Sequence, residues 1–160
     1  SIWNQQPGFW FFNSSAAAGA SQPHRHLQLL PRELGAPACP LVAEFEALAA
    51  GNPTTKTWHH AVAVRQLPAD RTGSDLDQAY RDLASELALG DHGQDMHPVH
   101  PYNLLLTEHW MVMVRRRIES HAGFSVNALG FAGYLLATKN SNLDWLRTSG
   151  GDALLDLVSL

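Results

Sequence analysis

Asn13-Ser14-Ser15-Ala16-Ala17-Ala18-Gly19-Ala20-Ser21-Gln22-Pro23-His24-Arg25-His26-Leu27-Gln28 runs a loop of small residues directly into a segment with a polar ring or amide at every second position. From Pro23 onward His24, His26 and Gln28 alternate with Arg25, Leu27 and Leu29. Successive strand side chains point to opposite faces, so the spacing predicts a strand beginning at Pro23 and ended by Pro31. It would carry both imidazoles and the carboxamide on one face and direct Leu27 and Leu29 into the core. In the 19–22 loop little side chain stands between backbone N–H groups and an approaching anion, and Ser21 and Gln22 add donors. A neutral imidazole with one nitrogen fixed by a hydrogen bond and the other free is a nucleophile available near pH 7. Other readings fit the histidines: a satisfied or surface residue, or a zinc site, for which Gln28 is a poor third ligand. The small-residue loop favours phosphoryl chemistry, since a metal site has no need of it.

Outward from this stretch, the residues predict strands and helices in mixed order. Phe9-Trp10-Phe11-Phe12, between Pro7-Gly8 and Asn13-Ser14-Ser15, reads as a buried strand entering a turn. Leu41, Phe45 and Leu48 have helical spacing with Gly51 as a stop, and residues 58–67 read as a strand closed by Pro68. Ser74-Asp75-Leu76-Asp77 looks like a helix cap, followed by Leu76, Tyr80, Leu83 and Leu87 on one helical stripe that Gly90 ends. A polar connector spans residues 91–101, with Gly93, Pro98 and Pro101. Residues 102–107 and 110–116 form two strand-like runs around Glu108-His109, an antiparallel hairpin. Residues 124–138 have strand-like ends around Gly130 and Gly133, and 143–146 and 153–157 read as short helical turns. No internal repeat interrupts the pattern, and helices among antiparallel strands predict an α+β fold.

The 160 residues, 45% hydrophobic and 16% charged, are expected to form a single domain over 1–160. A formal net charge of -4 argues against holding nucleic acid or anionic lipid by bulk electrostatics. Cys39 is the only cysteine, which rules out an intrachain disulfide and favours a reducing, cytoplasmic setting. No apolar run has the length of a membrane span. The chain starts at Ser1 and enters an apolar segment almost at once, which reads as the later part of a longer protein.

The 13–28 stretch closely resembles the active-site segment of the ATP adenylyltransferases, or diadenosine tetraphosphate phosphorylases, a transferase branch of the histidine-triad superfamily. Tyr102-Asn103-Leu104-Leu105-Leu106-Thr107 with Trp110-Met111, and Ser125-Val126-Asn127-Ala128-Leu129-Gly130-Phe131-Ala132-Gly133-Tyr134-Leu135-Leu136, resemble that family's C-terminal region. The His-x-His-x-Gln pattern by itself is shared with hexose-phosphate uridylyltransferases. The resemblance implies a histidine-triad-like antiparallel sheet with flanking helices, and a family N-terminal half that these residues do not match. It also implies cleavage of diadenosine tetraphosphate by inorganic phosphate to ADP and ATP through a covalent adenylyl-histidine. His26 would be the nucleophile, His24 would orient or support it, and Gln28 would contact phosphate. Asn13, Gly19, Ala20, Ser21 and Gln22 would bind phosphate oxygens, and Asn127 and Lys139 would reach nucleotide or phosphate. No tightly bound cofactor is implied, though a divalent cation, magnesium or manganese, fits a polyphosphate substrate. Rival readings are a sugar-phosphate nucleotidylyltransferase and a nucleotide-binding module without turnover. Arg115-Arg116-Arg117 departs from the family's proline-containing stretch and reads as a solvated basic face. His59, His60, His92, His97, His100, His109 and His121 show no catalytic pairing, and residues 97–101 read as loop.

Overall fold

A computed structural model describes residues 8–33, 35–90 and 98–160. Its centre is a five-stranded antiparallel sheet in the order β2-β1-β4-β5-β3, formed by β1 (Gly8–Asn13), β2 (Gln28–Pro31), β3 (Val62–Gln66), β4 (Tyr102–Leu106) and β5 (Trp110–Arg115). Helices α1 (Val42–Ala49), α2 (Gly73–Glu86), α3 (Ala128–Phe131) and α4 (Leu143–Val158) flank it, and β6 (Ser120–His121) pairs with β7 (Phe124–Ser125) as a small separate ribbon. The fold is α+β, as the element pattern predicts. Among the described residues no helix is long and apolar enough to cross a membrane.

The expected hairpin is β4–β5, with Tyr102 opposite Arg115 and Leu106 opposite Met111. Its turn closes on Thr107, whose N–H donates to the Trp110 carbonyl at 3.0 Å. The Thr107 hydroxyl oxygen accepts from the His109 and Trp110 amides at 3.1 and 3.2 Å. Because strand side chains alternate, the two strands feed two separate cores. Leu105, Val112 and Val114 join Phe9, Phe11, Phe45, Trp58, Phe131 and Leu154 on the face covered by α1, α3 and α4. Leu104, Leu106, Met111 and Met113 join Ala79, Leu83 and Leu87 of α2 on the other. A sheet buried on both faces explains why these strands read as near-continuous apolar runs.

Several boundaries differ from the sequence reading, each for a local reason. The cap of α2 is Thr72, two residues before the expected Ser74. The Thr72 hydroxyl accepts from the Asp75 amide at 3.4 Å, and the Asp75 carboxylate accepts from the Thr72 amide at 2.6 Å. Residues Thr57–Ala61 wind into a 3-10 turn, so only the second half of the expected 58–67 strand is a strand. The His59 and His60 rings bond back to the carbonyls of Lys56 and Thr57, and Asp152 takes both the Trp58 indole N–H and the Lys56 ammonium, at 3.2 and 3.1 Å. The two short helical turns expected near the end are there as two longer helical stretches that meet at a kink at Gly150, which sits at φ 85°. Within the expected 91–101 connector, residues 91–97, with Gly93, His92 and His97, lie outside the described residues.

Candidate active site

Strand β1 delivers Asn13 to the edge of the site, and the chain then turns tightly. Ser14 closes the exit: its amide donates to the Tyr102 carbonyl at 3.0 Å and its hydroxyl oxygen accepts from the Tyr102 amide at 2.8 Å. The 3-10 turn Ala16–Ala18 follows and ends on Gly19 at φ 84°, a left-handed conformation that suits glycine. A Cβ on Gly19 would lie 2.7 Å from the Asn127 Cβ and 2.8 Å from the Val126 carbonyl oxygen, so the absent side chain lets two distant segments touch.

The loop corrects part of the expected phosphate cradle. The Gly19 amide donates to the Ala16 carbonyl at 2.9 Å and the Ala20 amide to the Ser15 carbonyl at 3.0 Å, so neither is free for a ligand. The Ser21 and Gln22 amides make no hydrogen bond among the described residues. Asn13, expected to face phosphate, is nearly buried. Its carboxamide oxygen accepts from the Asn103 side-chain amide at 2.7 Å and from the Ala128 backbone amide at 2.8 Å, leaving its Nδ2 as the group it can offer. Asn127 caps α3 by accepting from the Leu129 amide at 2.9 Å, and it lies against Gly19. Lys139 is exposed on a turn tied to Ala122 and Gly123 through Asn142 and Ser141, and no contact joins it to the 19–22 loop among the described residues.

The histidine segment also differs from expectation. The strand starts only at Gln28, Leu27 is 49% exposed, and Leu29 is half-buried. Among the described residues, 23–27 have no neighbour to pair with, because β1 opposes β2 only from Phe11↔Gln28 to Gly8↔Pro31. Gln28 lies opposite Phe11, on the sheet face shared with α3 and α4. The two imidazoles are close all the same: their ring centroids are 5.1 Å apart, inclined at 46°. His26 Nδ1 lies 3.1 Å from the His24 carbonyl oxygen. A carbonyl only accepts, so this bond puts the proton on Nδ1 and leaves the Nε2 lone pair available.

A cleft of about 380 Å³ opens over the loop, lined by Asn13, Ser14, Ser15, Ala20, Ser21, Gln22, His24 and Arg25 among others. His24 and Arg25 line it, and His26 does not. A second cleft of about 570 Å³ adjoins it, sharing Ser14, Ser15, Pro23 and Arg25 and adding His100. The Ser15 hydroxyl is buried without a partner among the described residues. Among the described residues no group of three His, Cys, Asp or Glu side chains can hold a metal ion.

The largest departure concerns Arg115-Arg116-Arg117. Arg116 is 1% exposed, the opposite of a solvated basic face. Its Nη1 donates to Asn103 Oδ1 at 2.6 Å, to the Val126 carbonyl at 2.8 Å and to the Ala18 carbonyl at 3.4 Å. Nε donates to the Val158 carbonyl at 3.1 Å, and Nη2 to the carbonyls of Ile118 and Glu119 at 2.8 and 3.2 Å. Burial pulls the guanidinium down to about 10, with Glu119 opposing, and it stays cationic at neutral pH. Arg115 is half-buried against the Leu87 carbonyl and His100, and Arg117 is exposed and donates to the Leu157 carbonyl. Asn103 was detectable as a lone amide in the apolar run Tyr102-Asn103-Leu104-Leu105-Leu106, whereas nothing in the local pattern distinguishes Arg116 from its neighbours.

Two family models match the chain. Residues 55–160 match the family model of the ATP adenylyltransferase C-terminal domain. Residues 2–46 match that of the Ap4A phosphorylase N-terminal domain, so the His24 to Gln28 stretch falls in the first of two adjoining spans. No curated protein sequence matches the chain. Among solved structures the chain is similar to yeast Ap4A phosphorylase Apa2, at 22% identity and a TM-score of 0.68 over 95% of this chain and 55% of that one. Against the same yeast protein in complex with AMP the values are 24% and 0.63, over 92% and 54%. Against its complex with Ap4A they are 20% and 0.65, over 95% and 54%. The chain thus spans about half the length of these structures, and the likeness is one of fold.

Proposed function

The chain belongs to the ATP adenylyltransferase family, and on that premise we propose that it carries the active site of a nucleotidyltransferase that splits diadenosine tetraphosphate with inorganic phosphate. The reaction is a double displacement. His26 Nε2 attacks the α-phosphorus, the bond from that phosphorus to the departing ATP breaks, and its electron pair leaves on the ATP oxygen. An oxygen of inorganic phosphate then attacks the same phosphorus, the phosphorus–nitrogen bond breaks, and ADP departs from a restored imidazole.

One observation carries this reading: the His26 Nδ1 bond to the His24 carbonyl, which leaves the free lone pair on Nε2 in a segment that directly follows a loop with open Ser21 and Gln22 amides. His24 supports His26 through its backbone oxygen. The Ser21 and Gln22 amides, Asn13 Nδ2, Asn127 and Gln28 are the neutral donors for phosphate oxygens, and Lys139 serves the nucleotide when the site is occupied. Preorganised donors suit this chemistry, because charge on the phosphoryl group and alignment of the two oxygens dominate the barrier. Arg25 supplies a cation at the cleft, and a polyphosphate carries more charge than it balances, so magnesium or manganese is expected to accelerate turnover. A cytoplasmic setting accords with the single cysteine, buried with its thiol pushed up to about 11 by desolvation and therefore unreactive.

The test is trapping. Protein incubated with dinucleotide labelled in the adenosine and quenched before phosphate is added should carry label on His26 after peptide mapping. Label on a different residue would overturn the mechanism. A second reading, nucleotide binding without turnover, draws on His26 being outside the cleft lining. AMP binding with no labelled histidine would favour it.

A further inference from the structure

We propose that Arg116 is the positioning residue of this site, a buried cation that holds the 3-10 turn and the 19–22 loop against the Asn127 segment. The inference rests on the reading of the 19–22 loop as the phosphate side of the site. Four segments present five carbonyls to Arg116, from chain ends and turns: Ala18 from the 3-10 turn, Val126 just before α3, Val158 at the end of α4, and Ile118 and Glu119 from the link between β5 and β6. A guanidinium has five N–H donors in a rigid plane, and here all of them face neutral oxygens.

Among the described residues no carboxylate is a hydrogen-bond partner of Arg116; the Glu119 carboxylate is bonded to the Ser125 hydroxyl instead. A buried cation without a bonded counter-ion is poorly explained as a source of stability, since an apolar side chain of similar volume would fill the space without the desolvation penalty. Geometry accounts for it better. Asn103 extends the clamp: its Oδ1 accepts from Arg116 while its Nδ2 donates to the Ala18 carbonyl and to Asn13 Oδ1, each at 2.7 Å. Arg116 and Asn103 therefore fix Ala18, Asn13 and Val126 relative to one another. Gly19 and Asn127, the next residues along, approach so closely that a Cβ on Gly19 would lie 2.7 Å from the Asn127 Cβ. The planar face of Arg116 also lies 5.2 Å from the Phe131 ring centroid, which keeps α3 in the same register.

Amide hydrogen exchange on the unaltered protein tests the clamp directly. The Gly19 and Ala20 amides should be as protected as the Leu105 and Val112 amides of the central strands; exchange at unstructured-loop rates would overturn the proposal. In Arg116→Lys, which keeps the charge but cannot reach all five carbonyls, the Gly19 and Ala20 amides should exchange at least about tenfold faster with the strand amides unchanged. Affinity for AMP should fall by about tenfold. Arg116→Met, which packs without donors, should show the same loss of loop protection and of AMP affinity. If either variant melts lower while loop exchange and AMP affinity stay at wild-type values, Arg116 is a core residue only. If the unaltered protein shows the protection yet does not bind AMP, the functional reading fails and the clamp stands.

Discussion

At the residue scale the site separates groups that touch a ligand from groups that hold those groups still. His26→Ala removes the proposed nucleophile, so turnover of diadenosine tetraphosphate should fall by several orders of magnitude, on the order of a thousandfold at the least, as for other activated nucleophiles. Gln28→Ala removes one neutral donor and should lower the rate by on the order of a hundred- to a thousandfold. Steady-state rates for both variants check this, and a His26→Ala protein with full activity would remove the mechanism. Gly19 answers a different question. Alanine there would meet both a left-handed backbone and the Asn127 segment. Gly19→Ala should therefore cost about 1–3 kcal/mol in urea unfolding and weaken AMP binding. Unchanged stability would mean that the close approach to Asn127 does not hold in solution.

What could be read in the sequence at this scale was the chemistry of the residues, not their orientation. Nucleophile, amide and small-residue loop stand out because few structural roles need that combination. The orientation of Asn13 did not follow, since its carboxamide oxygen is taken up by Asn103 and Ala128, ninety and more residues away. Arg116 is an equally long-range matter. A charged residue at the end of an apolar strand reads as solvated until the carbonyls of four segments are brought to it.

At the scale of elements, local signals succeeded where local forces decide. The β4–β5 hairpin was legible because two apolar runs lie either side of a two-residue polar break and the turn closes on its own Thr107. The strand expected from Pro23 was misjudged because alternation shows which side chains share a face but not whether a neighbouring strand is there to pair. Residues 23–27 have none. The α2 cap was displaced by two residues because Thr72 with Asp75 satisfies two amides reciprocally, which Ser74 cannot do with Asp77 inside the first turn. That box makes a pH prediction. The Thr72 backbone bond, then its side-chain bond, holds the Asp75 carboxyl below the usual carboxylate range. A depressed folded-state value means the unfolded chain takes up a proton first on acidification. The contribution is thus full above the ordinary aspartate value and is lost as pH falls through the lower folded one. The difference in urea midpoint between wild type and Asp75→Asn should be constant near neutrality and shrink below about pH 4. A difference that grows in acid would contradict the box.

At the scale of the whole molecule the sheet acts as a wall between two hydrophobic layers, and the candidate site sits on only one side of it. The α1, α3 and α4 layer contains Phe131 and Leu154 and reaches the Asn127 segment through α3, whereas the α2 layer with Leu83 contains none of the residues assigned to the site. Substitutions in the two layers should therefore act independently on stability and unequally on function. Leu83→Ala, at a fully buried position on α2, should cost about 2–5 kcal/mol. Leu154→Val, equally buried on α4, deletes one methylene and should cost about 1 kcal/mol. Because the sheet lies between them and they share no partner, the double variant should equal the sum to within about 0.5 kcal/mol in urea unfolding. AMP affinity, measured where each protein is fully folded, should be untouched by Leu83→Ala. A coupling well above that margin, or a loss of AMP binding from the α2 side, would show that the two layers communicate through the strands, and the site would then depend on packing across the whole sheet.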